Sequence, residues 1–399
     1  MRILFANKFF YPKGGAETVF FQERNFLLNT GNKVIDFSMA HPDNHDSPYS
    51  PYFVPNIDYN ARFKRSRIAA TFIHNREAIK RLLVLIEREN PHIAHLHNIY
   101  HQITPAIIPV LRKAGLKIVL TLHDYKIICP NYLMINRKYE ICNKCQGTRF
   151  WHATTEKCKN DSYIESLLLS MEAYWHKWSK SYEKVDIMLC PSSFLADLVA
   201  KYRIDPAQVR ILPNGIDTET YGYSKEDGGY ALFLGRISKE KGIETLLKAY
   251  RLVSNRFKLK IVGTGPLMGK LKPSYPDVEF TGNKTGSELK ELVRHASFLI
   301  APSEWNENCS MSVLSGMAFG KSVIASRIGG IPEQVDDNKT GYLFKMGDPE
   351  DLAEKMAFLA NNKDLRREMG KAAREKTEEE YSLDAHCKKL IGIYEELLH

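Results

Sequence analysis

Short apolar strands alternate with helical segments along the whole chain, and this alternation restricts the fold more than any other feature. The alternation runs through the first half of the chain and restarts near residue 209. Strands that alternate with helices form parallel sheets that helices cover on both faces. The sequence therefore predicts an α/β fold with two doubly wound, Rossmann-like domains. The predicted strands are residues 3–7, 33–37, 93–97, 117–122 and 186–190, then 209–212, 230–234, 259–262, 278–280, 298–300, 322–325 and 342–344.

The length of 399 residues supports this division, because one hydrophobic core rarely serves so long a chain. In open α/β sheets, ligands bind beyond the carboxyl ends of the strands. Two such sheets facing each other would surround one cleft with two sets of strand ends. We expect the ligand there.

Composition and charge indicate the compartment and the kind of partner. No apolar run approaches the ~20 residues of a membrane span, and the start, MRILFANKFF, has no signal-peptide core, so we expect a cytoplasmic protein. The net charge of +9 favours anionic partners. The densest basic cluster is either a membrane-surface patch or, as we favour, a solvated helix face. It consists of Arg62, Lys64, Arg65, Arg67, Arg76, Lys80 and Arg81.

Residues 301–326 contain the most informative candidate site. They indicate a buried strand, a loop with Glu304 and Glu307, a helix of small residues and a second strand. A carboxylate just past a strand, followed by a helix N-terminus, is typical of ligand sites in open α/β sheets.

Two cations follow the predicted strand 230–234. Arg236 leaves the end of this strand and Lys241 precedes the next helix, between Gly235 and Gly242. An Arg fork and a Lys point charge suit a diphosphate, whereas the alternative is a solvated basic loop. We favour the diphosphate because the glycines lie at a strand-to-helix junction. The chain has no Asp-x-Asp motif, so these cations would supply the charge stabilisation that a divalent metal ion often gives.

Glycines and histidines provide weaker signals in the first half. Gly14 and Gly15 precede a helix and allow close approach of a phosphate or sugar, although an ordinary tight turn is as good an explanation. His123 ends a strand and can hydrogen-bond a ligand, with a structural histidine as the alternative. His95 and His97 point to one side of their strand. We assign them structural roles, because no further metal ligand has clear spacing.

Four cysteines have the spacing C-x12-C-x2-C-x12-C within the insertion 129–158. The central CxxC is a common half of a tetrahedral thiolate zinc site. The polar segment between the cysteines has little to fill a core, and a zinc ion would fold it. We predict a closed, structural zinc, with two disulfides or four free thiols as alternatives. The ligands would be Cys129, Cys142, Cys145 and Cys158.

Together the motifs resemble glycosyltransferase family 4, which comprises retaining, nucleotide-sugar-dependent enzymes with the GT-B fold. The resemblance covers most of the chain in the family's order, and it implies that the last helix returns to the first domain. The domains would then be residues 1–203 plus 382–399 on the acceptor side and 204–381 around the nucleotide sugar. The motifs are GGAE, TLHD, PSSF, LPNGID, FLGRISKEKG, IVGTGP, APSEWNEN, SVIASRIGGIPE and GYLF.

The resemblance also implies roles for individual residues. His123 would hydrogen-bond the transferred sugar, and Arg236 and Lys241 would bind the leaving diphosphate. Glu307 would be the first glutamate of the family's E-x7-E pair. The remaining donor contacts would come from Gly14 and Gly15 and from the backbone amides of Asn308, Cys309, Ser310, Met311 and Ser312.

Position 315 is the most consequential of several departures from the family pattern. The second glutamate of the pair is expected at position 315, where this chain has Ser315. Serine replaces two charge-assisted hydrogen bonds to the ribose with one neutral bond, a loss on the order of 1–3 kcal/mol. This leaves open a catalytically weakened relative that binds nucleotide or glycan as a partner protein. A nucleotide-sugar epimerase is disfavoured, because the motif order follows the transferases.

The activity implied by the resemblance is transfer of a sugar, with retention, from a nucleoside diphosphate to an acceptor hydroxyl. The leaving phosphate would take the acceptor's proton, so no protein nucleophile and no catalytic cofactor is needed. We expect a role in surface-polysaccharide assembly, a glycan or lipid-linked acceptor at the inner membrane face, peripheral membrane contact and no nucleic-acid partner.

Overall fold

The computed structural model describes residues 1–57, 70–201, 204–254 and 257–399. The chain forms two compact units, one of Met1–Leu212 with Cys387–His399 and the other of Pro213–His386. Part of the predicted basic cluster, Arg62, Lys64, Arg65 and Arg67, lies outside the described residues. Within those residues, no helix is long and apolar enough to cross a membrane.

The N-terminal unit contains a six-stranded sheet in the order β2-β1-β3-β4-β5-β6, with every pair parallel. Its strands are β1 Arg2–Ala6, β2 Lys33–Phe37, β3 Ile93–Leu96, β4 Lys117–Thr121, β5 Ile187–Cys190 and β6 Val209–Ile211. The helices before residue 202 are α1 Gly15–Asn29, α2 Arg76–Glu89, α3 Ile107–Lys113, α4 His152–Thr155, α5 Tyr163–Trp178 and α6 Ser193–Ala200.

The C-terminal unit contains a second parallel sheet of six strands, in the order β12-β11-β10-β7-β8-β9. Its strands are β7 Tyr230–Leu234, β8 Lys258–Val262, β9 Glu279–Gly282, β10 Phe298–Ala301, β11 Val323–Ser326 and β12 Gly341–Phe344. The helices that follow β7 are α7 Ile243–Leu252, α8 Met268–Ser274, α9 Gly286–Arg294, α10 Met311–Ala318, α11 Ile331–Gln334, α12 Pro349–Asn361, α13 Lys363–Glu380 and α14 Leu383–Leu398.

Apolar residues on alternate positions of the strands form the cores. In the C-terminal unit, Phe233 and Leu232 of β7 point into two different clusters, one on each face of the sheet. In the N-terminal unit, Phe5 of β1 packs in a cluster that also contains Leu390 and Tyr394 of α14. The last helix therefore completes the core of the N-terminal unit.

The structure divides the chain nine residues later than position 203 (212 − 203 = 9). The sequence placed residues 209–212 in the second domain, but β6 pairs with β5, with Val209 opposite Met188. The second division falls after His386 and not after residue 381, because His386 Nδ1 bonds to the carbonyl of Pro213 at 2.7 Å. Backbone partners decide which sheet a short strand joins, and local composition does not reveal them.

Candidate active site

The strand order identifies the point of the C-terminal sheet where a ligand-binding crevice is expected. From β7 the chain adds β8 and β9 on one side, then returns to place β10 on the other side of β7. Beyond the carboxyl ends of two such strands, the connecting loops diverge and leave a crevice. Residues 235–242 follow β7 and residues 302–310 follow β10, so the predicted cations and Glu307 lie at this point.

Lys241 reaches Glu307 across the two loops. A single 3₁₀ turn, Lys239–Lys241, ends at Gly242, whose φ of 68° favours glycine. A Cβ at Gly242 would lie 1.7 Å from the carbonyl oxygen of Pro302, so only glycine lets the loops approach this closely. Lys241 Nζ donates to Glu307 Oε1 at 2.5 Å and lies 4.9 Å from the centre of the Trp305 ring.

Glu307 is held as a buried, ionised carboxylate. Its residue is 7% exposed, and Ser303 Oγ donates to the same Oε1 at 2.7 Å. Burial would raise the pKa of Glu307, but the charge of Lys241 and hydrogen bonds from Lys241, Ser303 and Trp305 lower it below its ordinary value. Sequence reasoning missed Ser303 and Trp305, although both belong to the APSEWNEN motif that contains Glu307.

Arg236 and Lys241 differ in their surroundings. Arg236 is exposed at the end of β7, and no carboxylate of the described ranges forms an ion pair with it. The sequence predicted that both cations flank one anion, but in the structure only Lys241 is paired with a carboxylate. Arg236 faces solvent, whereas Lys241 is already paired with Glu307 and is free to share its remaining N–H groups with a ligand.

At the start of α10, some of the backbone amides predicted to bind the donor have no acceptor within the helix, whereas others already donate to a side chain. Ser310 N–H already donates to Gln334 Oε1 at 2.7 Å, and Gln334 Nε2 donates back to the Ser310 carbonyl at 3.1 Å. The carbonyl of Cys309 accepts from Asn214 Nδ2 at 3.2 Å. Met311 and Ser312 occupy the first helical positions, where backbone N–H groups have no acceptor within the helix. Asn308 is buried in the loop before them.

Ser315 lies one turn into α10, and its hydroxyl bonds to the backbone of the same helix. Its Oγ donates to the carbonyl of Met311 at 2.7 Å, and the side chain also contacts the Tyr221 hydroxyl. Tyr221 has Lys290 Nζ at 5.1 Å from its ring centre. Glu304 does not replace the expected second glutamate, because it accepts from Thr245 Oγ1 at 2.5 Å, on α7.

The N-terminal unit has a corresponding strand reversal between β1 and β3. Gly14 caps α1 in an extended conformation, with φ −165° and ψ −166°, which any residue can adopt. A Cβ there would be 3.6 Å from Glu17 Oε2, which is ordinary contact, so packing does not demand glycine.

His123 follows β4 at the same sheet edge and belongs to a buried network. Its Nε2 lies 2.8 Å from His97 Nδ1, and the two rings stack. Glu23 Oε2 lies 3.5 Å from His97 Nε2 and 3.7 Å from His95 Nδ1. A carboxylate beside Nε2 favours a proton on that nitrogen, which makes His97 Nδ1 the acceptor and His123 Nε2 the donor. Sequence reasoning did not find Glu23.

Two family models match the chain. The model described as Glycosyltransferase Family 4 matches residues 13–220, and the model described as Glycosyl transferases group 1 matches residues 222–376. A glycosyltransferase of Methanocaldococcus jannaschii, itself uncharacterised, is 31% identical over 53% of this chain and 60% of that protein. The sulfoquinovosyl transferase of Arabidopsis thaliana is 32% identical over 48% of this chain and 41% of that protein. The chain thus spans about three-fifths or less of these relatives.

Solved structures match nearly the full length. Sucrose-phosphate synthase from Thermosynechococcus elongatus has a TM-score of 0.76 at 18% identity, covering 99% of this chain and 98% of that one. The Anabaena protein HepE, solved in complex with UDP, has a TM-score of 0.71 at 14% identity, covering 99% and 100%. These likenesses concern the fold, which is GT-B. Because the family 4 model alone matches residues 13–220 of 399, the chain belongs to glycosyltransferase family 4.

Proposed function

We propose that this glycosyltransferase transfers a hexose, with retention, from a nucleoside diphosphate to an acceptor hydroxyl, without a metal ion. The observation that carries the proposal is the Lys241–Glu307 pair at the strand reversal of the C-terminal sheet, with exposed Arg236 beside it. A diphosphate would bind Arg236 bidentately and accept from Lys241, while Glu307 would accept from sugar hydroxyls. UDP is the first donor nucleotide to test, since the HepE structure contains it.

Retention is part of the proposal because the family resemblance implies it, and the polar side chains around this pair support a step without a protein nucleophile. Glu307 is engaged by Lys241 and Ser303, and burial raises the pKa of Cys309 to about 12, so its thiol keeps its proton. Neither group is a ready nucleophile. We therefore infer that the bond from the sugar to the diphosphate breaks while the acceptor oxygen attacks the same face. The acceptor's proton passes to the leaving diphosphate, whose charge Arg236 and Lys241 stabilise.

A second candidate is a weakened relative that binds nucleotide without transfer, and Ser315 favours it. Calorimetry with UDP, GDP, ADP and their sugars, without chelator and without added divalent metal ions, separates the two. We expect one nucleotide to bind below ~1 mM, and Ser315→Glu to tighten its binding by about 5- to 100-fold, equivalent to 1–3 kcal/mol. Ser315→Ala is the control, since it removes only the hydroxyl. If no nucleotide binds at millimolar concentration, neither candidate survives. Binding without turnover of any sugar donor would favour the second.

The helix α5 provides the surface for the proposed membrane contact. One face of this helix is apolar and exposed, with relative exposures from 39% to 78%. At about 100° per residue these side chains fall within an arc of roughly 120° that contains no charge. Lys157 Nζ lies over the Tyr163 ring at 4.5 Å, and Lys177 and Lys180 are exposed at the other end. The face consists of Tyr163, Ile164, Leu167, Met171, Tyr174, Trp175 and Trp178.

An apolar face with Trp and Tyr, and with cations at both ends, fits an anionic lipid surface. We propose that α5 lies on the cytoplasmic face of such a membrane and brings the site to a lipid-linked acceptor of surface-polysaccharide assembly. The contact would be peripheral. It assigns the membrane contact to α5 and not to the basic cluster at residues 62–81, for which the sequence favoured a solvated helix face.

A further inference from the structure

We propose that Cys129, Cys142, Cys145 and Cys158 bind one structural Zn²⁺ ion that folds the insertion between β4 and α5. The four side chains, spread over 30 residues of the sequence, line a single small cavity of about 10 Å³. That volume suits one atom-sized guest. Four thiolates in a closed site are a donor set that selects zinc and leaves no open position for catalysis.

The backbone around the cavity is arranged as a thiolate needs it. The N–H groups of Met134 and Asn131 donate to the Cys129 sulfur, and the N–H of Ala153 donates to the Cys145 sulfur. Such bonds stabilise negative charge on sulfur. The antiparallel bridge between Ile135 and Ile141 turns the chain back, so that Cys142 N–H bonds to the Met134 carbonyl at 2.8 Å.

The insertion has little apolar core to hold it without a metal. One small buried cluster contains Cys145, Phe150 and Ala153, with Cys158 and Ala173 packed against it, and Met134 and Ile135 are the other buried apolar residues. Zinc supplies folding free energy to segments of this kind. The thiols are free and not oxidised in the structure. Each would lose its proton on binding, and the sulfurs would draw together to about 3.8 Å, the spacing of a tetrahedral site with Zn–S bonds of ~2.3 Å.

A competing cluster exists in the described part of the chain. Ligand atoms of Glu23, His95 and His97 lie within 4.8 Å of one another. However, His95 already bonds to Tyr394 at 2.5 Å and to Thr121 at 2.7 Å through its two ring nitrogens, and His97 Nδ1 is engaged with His123. Metal binding at His95 would therefore break a buried hydrogen bond, whereas the four cysteines offer a complete tetrahedral donor set, so the cysteines are the better site.

The site would join two functional parts of the N-terminal unit. Cys129 follows His123 by six residues (129 − 123 = 6). Between them, Lys126 Nζ bonds to the Pro130 carbonyl at 2.8 Å and to Glu172 Oε2 of α5 at 2.6 Å. Zinc would therefore anchor both the segment after His123 and the exposed helix α5.

Metal analysis of the full chain, produced with zinc and purified without chelator, tests the proposal. We expect about one zinc per chain, less than ~0.1 in Cys142→Ala/Cys145→Ala, and about one in the control Cys190→Ala/Cys387→Ala, whose cysteines lie in β5 and α14, away from the insertion. Cobalt substituted for zinc should give the intense thiolate and red-region absorption of a tetrahedral site.

Three results would overturn the proposal. The first is wild-type protein without zinc whose four thiols react freely. The second is an intact mass lower by four hydrogens, which indicates two disulfides. The third is zinc retained by the Cys142→Ala/Cys145→Ala protein, which would place the ion elsewhere. If that variant does not fold, the cobalt spectrum of the wild type decides, and an octahedral spectrum contradicts four thiolates.

Discussion

Glu307 and Lys241 form the central ion pair of the proposed donor site. Lys241 keeps the carboxylate of Glu307 ionised, and Glu307 balances the charge of Lys241. Glu307→Gln would keep the bond from Ser303 but lose the charge that pairs with Lys241. We expect kcat/KM to fall by about 10²-fold or more, while the free energy of unfolding falls by about 1–2 kcal/mol. Steady-state kinetics and urea unfolding measure the two effects.

Glu304→Gln is the matched control for this change. Glu304 lies in the same loop but bonds to Thr245. Its variant should keep kcat/KM within about threefold, since loss of one side-chain hydrogen bond outside the site costs mainly stability. Equal kinetic losses in both variants would mean that the loop is merely structural.

Ionisation of Asp124, next to His123, lowers the stability of the folded state. Burial raises its pKa from 3.8 to about 6, although the Lys126 backbone N–H and the charges of Lys126 and Lys8 oppose the rise. The folded state therefore holds this proton more tightly than the unfolded state. The contribution of Asp124 to stability falls as pH rises from about 4 to 6 and is constant above.

Asp124→Asn removes this dependence and keeps the acceptor for Lys126 N–H, which lies 2.9 Å away. We expect the variant to match the wild type near pH 4 and to exceed it above pH 6, by on the order of 2–3 kcal/mol. Urea unfolding at several pH values measures the difference. A difference that does not change between pH 4 and 7 would be evidence against a raised pKa.

The sequence identified Lys241 and Glu307 as site residues but did not reveal that they bond to each other. Placing Lys241 and Glu307 at one sheet edge followed from parallel strands. That they bond to each other depends on Gly242 and Pro302 packing together, which no local pattern encodes. Glu23 was missed because a lone helical glutamate carries no sign of the buried histidines it meets.

The strands were predictable as elements, because apolar runs bounded by turns indicate buried parallel strands. Helix α5 was not predicted. Its apolar stripe faces outward, and it follows a cysteine-rich segment that indicated a polar loop. The misplacement of β6 has a related cause, since a three-residue strand takes its sheet from distant backbone partners.

The exposed face of α5 predicts that vesicle binding depends on its two exposed tryptophans. Trp175→Ser/Trp178→Ser should reduce sedimentation with vesicles of phosphatidylglycerol and phosphatidylethanolamine by at least about tenfold in affinity, since each Trp loses more than 1 kcal/mol of burial in the interface. Both positions are exposed, at 42% and 78%, so the fold should be unaffected.

The control for α5 is Leu252→Ser/Phe358→Ser, which alters two exposed apolar side chains of the C-terminal unit. It should bind vesicles like the wild type. Binding that is equal in all three proteins would assign the membrane contact to another surface. Binding only to vesicles that lack phosphatidylglycerol would contradict the role of the lysines.

The whole molecule combines two α/β units, each with polar groups at its own strand reversal. The fold class and the family were predictable, because glycine-bracketed loops at strand ends recur in a definite order. The donor base, the sugar and the acceptor were not, because they depend on side-chain positions in loops that have no general code.

NMR of the sugar's anomeric proton tests the central claim most directly. UDP-, GDP- and ADP-hexoses are incubated, without chelator and without added divalent metal ions, with the full chain and separately with its Glu307→Gln variant. The account predicts that the wild type converts one donor to nucleoside diphosphate, that the new sugar species first appears in the donor's anomeric configuration, and that the variant is slower by about 10²-fold or more. A product of inverted configuration, or no conversion of any donor, would contradict it.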